Sequence, residues 1–282
     1  MNQTFRDEPG AHALYDEMLE TMRRAQSLSC ESDYRWESAG KNLGHCTYRL
    51  WMRKPNYARL EVSWGEQVMG ILVLDGHDFR IHWPNGRPCY GFEDPAEYER
   101  TRLISYMREP APPGRHSIAH QGGRLGGGMS MTILQPSVFH GCPDGMDAYL
   151  DGVAGMGTER VGDEECDLVE VSFMAHQRSR YLWLSRRDHL PRKLKQVVRV
   201  SDEIVMHETW SRVAPDEEIP LERFRWRPPE GWQEWRLPAI QDGLLKPGSE
   251  APDFDLVGTD GRRHTLHGYR GKALWLAFWR VG

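Results

Sequence analysis

Between Cys46 and Trp83 apolar and polar residues alternate. Ala58, Leu60, Val62 and Trp64 fall on one side of an extended strand, and Arg59, Glu61 and Ser63 fall on the other. That period of two is what a sheet wet on one face requires. Val68–Leu74 follows as an apolar run, then Asp75-Gly76, then Phe79, Ile81 and Trp83 alternating with Arg80 and His82. Asp-Gly between two apolar runs predicts a hairpin with a two-residue turn, because both central positions of that turn need positive φ. Val68–Leu74 is apolar at odd and even positions alike, so its second face needs a cover as well as its first. A strongly curved antiparallel sheet with helices on its inner side meets the pattern.

The rest of the chain is read in the same way. Ala11–Gln26 predicts an amphipathic helix, with Leu14, Met18, Met22 and Ala25 on a stripe widened by Tyr15 and Leu19. Strands are expected at Leu28–Glu37, Cys46–Arg53, Tyr57–Trp64, Val68–Leu74 and Phe79–Trp83. Asp94-Pro95 with Glu97 has the form of a helix start, and Leu103, Tyr106 and Met107 supply that helix with an apolar side. A third helix is expected over Pro143–Val153, capped by Asp144, with Met146, Tyr149, Leu150 and Val153 on one side. Strands resume from Gly157 through Val169–Phe173 and Tyr181–Leu184. An antiparallel pair, Lys193–Val200 and Ile204–Val213, follows, and Pro228-Pro229-Glu230-Gly231 stops the sheet. Strands, helices and strands again give an α+β class.

Composition narrows the chemistry. With 36 basic against 41 acidic residues, the chain carries no basic footprint for nucleic acid or an anionic membrane. No apolar run reaches the ~20 residues of a membrane-spanning helix. Met1–Gly10 lacks a basic stretch followed by an apolar one, so no secretory signal is visible and the chain reads as cytosolic unless its natural start lies upstream. The five cysteines, Cys30, Cys46, Cys89, Cys142 and Cys166, are widely spaced without C-x-x-C, which favours buried thiols over a disulfide framework. His116-x₃-His120 lies among prolines and glycines with no third ligand, so neither a metal nor a cofactor is expected. Gly114–Gly128 holds six glycines but no Gly-Lys-Ser/Thr, and reads as a loop rather than a phosphate cradle.

Several segments in order resemble the LolA-like lipoprotein carriers, most of all their envelope-protein branch. They are Lys54-Pro55-Asn56-Tyr57-Ala58-Arg59-Leu60-Glu61-Val62, the Asp75-Gly76 hairpin, Gly157-Thr158-Glu159-Arg160-Val161-Gly162 and Leu182-Trp183-Leu184…Leu190-Pro191-Arg192, then Ile219-Pro220…Phe224…Pro228-Pro229-Glu230-Gly231. The resemblance covers about residues 10–237. It implies an antiparallel β half-barrel with helices covering the concave face, an apolar cavity for a lipid or lipoprotein acyl chain, and a place in the bacterial cell envelope or periplasm. Trp64, Leu72, Phe79, Trp83 and Trp183 are the candidate lining; equally, the same side chains can simply pack beneath the helices. The fold is shared with envelope-stress sensors, so it does not fix function.

Residues 238–246 form a linker, and a second resemblance follows. Pro247-Gly248-Ser249-Glu250-Ala251-Pro252-Asp253-Phe254, Asp260-Gly261, Tyr269-Arg270-Gly271-Lys272 and the apolar run Leu274–Trp279 resemble the opening of a TlpA-type or peroxiredoxin-type thioredoxin-fold domain. Residues 247–282 are thus expected to be an incomplete thioredoxin-like segment, with Leu274–Trp279 as a strand. In those families the nucleophilic cysteine follows the Phe-Trp, and here only Arg280, Val281 and Gly282 do. No catalytic residue is assigned, and Ser-His-Asp or paired-carboxylate sites are not expected. The alternative function is that the whole protein is a thiol–disulfide oxidoreductase or peroxidase with the half-barrel as accessory domain.

Overall fold

A computed structural model describes residues 6–76, 78–82, 103–108, 132–134, 136–141, 145–200, 202–231, 233–236, 245–259 and 261–276. It falls into two units, Met1–Arg236 and Leu237–Gly282.

The first unit opens with helix α1, Pro9–Arg24. Pro9 has no N–H to leave unsatisfied in the first turn, and Arg23 and Arg24 meet the negative end of the helix dipole. Ala11, Tyr15, Met18, Leu19 and Met22 make its buried stripe. Six strands follow: β1 Ser27–Ser38, β2 Lys41–Arg53, β3 Tyr57–Trp64, β4 Gln67–Asp75, β5 Asp78–His82 and β6 Leu103–Arg108. Then come β7 Leu150–Val161, β8 Glu164–Phe173, β9 Arg178–Ser185, β10 Pro191–Val198, β11 Ile204–Pro215 and β12 Gln233–Arg236.

All twelve lie in one open sheet, in the order β12-β6-β5-β4-β3-β2-β1-β11-β10-β9-β8-β7. Two consecutive meanders, β1–β6 and β7–β11, are joined along an antiparallel seam between β1 and β11. The short β12 pairs parallel with β6 and is the one exception to antiparallel pairing among the described strands. The sheet does not close, so the architecture is the α+β antiparallel half-barrel that the alternation predicts.

Period two sorts the side chains. Tyr34, Tyr48, Leu50, Leu60, Val62 and Leu72 belong to one buried cluster with Val169, Val171, Leu182, Leu184 and Leu194 from the other meander. Helix α1 packs on this inner face against β7 and β8 and against a 3-10 turn, Pro136–Val138. The three residues before the helix anchor it to an edge of the sheet. Glu8 donates its N–H to the Val153 carbonyl (2.8 Å), Asp7 Oδ1 accepts from Val153 N–H (3.0 Å), and Glu8 Oε2 accepts from Gly155 N–H (2.8 Å). Gly152 permits the close approach, since a Cβ there would sit 2.7 Å from the Arg6 carbonyl oxygen.

The second face of β4 is also covered, as its double-sided apolar run requires. Val73 is fully buried, and the 3-10 turn Leu221–Phe224 lies against β3 and β4. Arg53 donates to the Ile219 carbonyl (2.7 Å), Arg59 donates to that of Arg223 (3.0 Å), and Tyr57 packs on Phe224 with ring centroids 5.4 Å apart.

Four expectations change. Leu103–Arg108 is a strand, not part of a helix: pairing with β5 outweighs its helical spacing of apolar residues. Pro143–Val153 is no helix where it is described; a 3-10 turn at Asp147–Tyr149 runs straight into β7, whose Gly152 and Gly155 are poor helix residues. The hairpin turn after β4 sits one residue later than Asp75-Gly76. Leu74 pairs with Phe79, so Gly76, at φ +97°, takes the first central position. The helix expected from Asp94, the glycine-rich stretch and the His116–His120 pair lie outside the described residues.

In the second unit, β13 Asp255–Val257 and β14 Arg263–Thr265 form an antiparallel hairpin, followed by a 3-10 turn, Leu266–Tyr269. The fourth change is here: Leu274, Trp275 and Leu276 lie in no strand, and Trp275 is 91% exposed. An extended segment without a ladder partner is not a strand, however apolar its residues. Residues 277–282 lie outside the described residues.

Candidate functional site

The inner face is apolar across β2, β3 and β4, where Tyr48, Leu50, Leu60, Val62, Leu72 and Leu74 are 0–2% exposed. Across β9, β10 and β11 it carries polar side chains at the same alternating positions. Arg180 lies opposite Gln196 and donates through Nε to its Oε1 (3.1 Å), while its guanidinium lies 5.1 Å over the Phe173 ring. One register pair further in, Leu194 stands opposite Glu208, a fully buried carboxylate.

Three donors converge on Glu208. Oε2 accepts from the Tyr48 hydroxyl (3.0 Å) and from Trp210 Nε1 (2.8 Å), and Oε1 accepts from the backbone N–H of Ile133. Ile133 belongs to an irregular segment whose Ile133, Leu134, Val138 and Phe139 side chains are all buried in the inner cluster. Burial pushes the Glu208 carboxyl up to about 7, against the pull of its three donors and the Arg180 charge. Burial and the Glu208 carboxylate together push the Tyr48 hydroxyl and the Cys30 thiol well above their ordinary values. Among the groups of this cluster, the Glu208 carboxyl is the one burial brings closest to neutrality.

The outer face differs. Glu31, Asp33, Thr47, Arg49, Glu61 and Ser63 line an open groove of about 590 Å³. Within it Arg49 pairs with Glu31 (3.2 Å); from beside it Arg212 also reaches Glu31 (3.1 Å), and the His45 ring lies 2.6 Å from Asp33 Oδ2.

One cluster has the composition of a hydrolytic site. Ser172 Oγ lies 3.0 Å from His176 Nδ1 and 3.3 Å from Asp151 Oδ2. In a triad the carboxylate must hold the imidazole. Here Asp151 instead accepts the backbone N–H groups of Ala175 (3.1 Å) and His176 (2.9 Å). It braces a turn in which Met174, Ala175 and His176 all have positive φ. Among the described residues, no group of three His, Cys, Asp or Glu side chains is placed to hold a metal ion. No described helix is long and apolar enough to cross a membrane.

No family model matches the chain, and no curated protein does. Solved structures of low identity overlap much of the chain. The Mycobacterium tuberculosis lipoprotein LppX is 12% identical, with a TM-score of 0.42 over 76% of this chain and 100% of that one. MucB in the Pseudomonas aeruginosa MucA/MucB complex is 13% identical, with a TM-score of 0.43 over 91% of this chain and 74% of that one. A LolA superfamily protein of Nitrosomonas europaea is 9% identical, with a TM-score of 0.33 over 77% of this chain and 97% of that one. The half-barrel itself rests on this chain's own strand order and pairing.

Of the expected lining residues, Leu72 and Trp183 have described side chains, and these two lie on opposite faces of the sheet. Leu72 is fully buried in the inner cluster. Trp183 lies on the other face, because β9 turns Leu182 and Leu184 inward. It packs with Cys166 and Leu168, donates through Nε1 to Glu159 (2.7 Å) and has the Lys193 ammonium 4.3 Å from its ring centroid. That removes it from a concave lining. The backbone of Trp64 ends β3 opposite Gln67, and that of Phe79 stands opposite Leu74; Trp83 lies outside the described residues. Sequence reasoning missed Glu208, Tyr48, Trp210 and Arg180. The signal for Glu208 was present: a carboxylate at an inward position, two residues from both Met206 and Trp210.

Proposed function

We propose that the half-barrel is a binding module for an amphiphile with an acyl or similar apolar chain, working in the bacterial cell envelope on a lipid or a lipoprotein. The observation that carries this reading is the make-up of one face of an open sheet. Its β2–β4 side is largely apolar at the alternating buried positions, the Tyr48 hydroxyl apart, and its β9–β11 side places Arg180, Gln196 and Glu208 where a polar head would end. Ligand sites have this composition: predominantly apolar walls with a few placed polar groups. The test is titration with N-phenyl-1-naphthylamine, a neutral apolar dye that brightens when it leaves water. Enhancement saturating at micromolar dye is expected; none at tenfold higher concentration overturns the reading.

A second reading concerns residues 247–282. The segments resembling a thioredoxin-fold opening support a fused thiol–disulfide domain, with the boundaries 1–237 and 247–282. Insulin reduction by this chain and by a form extended beyond Gly282 tests it. Activity is expected only in the extended form, and turnover by the 282-residue chain places the chemistry elsewhere.

A further inference from the structure

Glu208 is an unusual group to bury on a face suited to hydrocarbon, and its three hydrogen-bond partners, Tyr48, Trp210 and Ile133, are all donors. Two of them, Tyr48 and Trp210, stand on strands of the sheet. The third is a main-chain N–H carried by a segment that also sets Ile133, Leu134, Val138 and Phe139 into the same apolar cluster. An apolar body with one neutral donor beside it is what the inner face already accommodates from its own chain. A carboxylate with three donors is satisfied; a second anion brought beside it in a water-poor site is not, because two carboxylates there must share a proton.

We propose that Glu208 sets the headgroup selectivity of the half-barrel: it admits neutral amphiphiles carrying an O–H or N–H donor next to the chain and rejects fatty-acid anions. The inference rests on the amphiphile-binding reading above and names the class of ligand that reading leaves open. A neutral head donates to Glu208 as the Ile133 N–H does. An anionic head finds an acceptor where it needs a donor. Arg180 on β9, Cys30 on β1 and Tyr48 on β2 are the other charged or titratable groups whose charge reaches this carboxylate. The last two stay neutral because burial and the Glu208 charge push their ionisation upward. The local change of charge around neutral pH is therefore that of Glu208 alone.

The experiment displaces N-phenyl-1-naphthylamine from the full chain with two ligands of equal chain length, 1-monolauroylglycerol and laurate, at pH 8.5 and pH 5.5. At pH 8.5 monolauroylglycerol should compete at least tenfold more tightly than laurate. Glu208→Gln, checked by circular dichroism, should shrink that ratio below threefold at pH 8.5 by strengthening laurate. Arg49→Ala, on the outer face of the sheet, should preserve it. If Glu208→Gln does not fold, the wild-type ratio at pH 8.5 decides. A ratio near one, or laurate the tighter ligand, overturns the proposal, the latter pointing to Arg180 as the headgroup contact. A ratio unchanged in a folded Glu208→Gln overturns it too. Failure of the dye itself to bind is a separate result and sinks the amphiphile-binding reading instead.

Discussion

Tyr48 and Arg49 are neighbours on β2, and the sheet treats them oppositely. Tyr48 is 1% exposed and hydrogen-bonds a buried carboxylate; Arg49 stands over half exposed and pairs with Glu31 in an open groove. On the inner side a charge is held by three donors and shifted by burial. On the outer side charges neutralise one another in water, where an ion pair contributes little. The same backbone ladder thus carries one face on which each atom is constrained and another on which substitutions are cheap.

The contrast can be broken most directly at Leu60, fully buried on β3. Leu60→Ala should cost 2–5 kcal/mol, roughly the range for deleting a buried leucine, read as a lowered urea midpoint. A cost below about 1 kcal/mol would mean that the inner face is loosely filled.

Next in size is the pH dependence of Glu208. Burial raises its carboxyl to about 7, above the ordinary value of 4.5, so the folded state holds the proton more tightly. The stability this gives is fully present below pH 4.5 and is lost as pH rises through about 7. Two histidines act in the opposite direction. Burial lowers His140 to about 4 and lowers His82, so their contribution is lost as pH falls below about 6.5. Wild type alone therefore mixes the two, and the difference between wild type and Glu208→Gln separates them. That difference should shift against wild type by on the order of 3 kcal/mol at most between pH 4.5 and pH 8. A flat difference would show that the carboxyl titrates as it does in water.

Trp183 sharpens the comparison from the outer side. Trp183→Phe removes the bond to Glu159 and should cost about 1 kcal/mol. It should leave dye affinity unchanged within twofold; a larger loss would place Trp183 at the ligand after all. The smallest effect is expected at Arg49→Ala, within about 0.5 kcal/mol and vanishing in high salt.

Much of this fold is legible in the residues. Tyr57–Trp64 is read at its observed bounds, and β1 and β11 to within a few residues, because one face of each is buried and period two then stands out; β4 is read as closely from its continuous apolar run. Two of the errors share a cause. Leu103–Arg108 and Leu150–Val153 carry apolar residues at spacings compatible with a helix, and only pairing with a distant strand decides between the two. The inner face of the candidate site follows from alternation, but its chemistry does not. Trp183 draws attention as a large aromatic, yet its parity in β9 turns it outward. Glu208 has the inward parity, and what makes it a site is the approach of Ile133, an irregular segment with no periodic signal.

The seam between β1 and β11 bears on how the chain reaches this state. Each meander is built from neighbours in sequence, which find one another over short loops. The seam sets Leu28 opposite Pro215 and Ser38 opposite Ile204, contacts that require a long loop to close before any pairing is gained. The bonds from Glu208 to Tyr48 and Ile133 also link the β11 side to the rest of the chain across that join. The carboxylate is therefore buried only when the two halves meet. Until then it is an ordinary hydrated acid, and its desolvation is part of the barrier to docking the halves, a barrier that rises in alkaline solution.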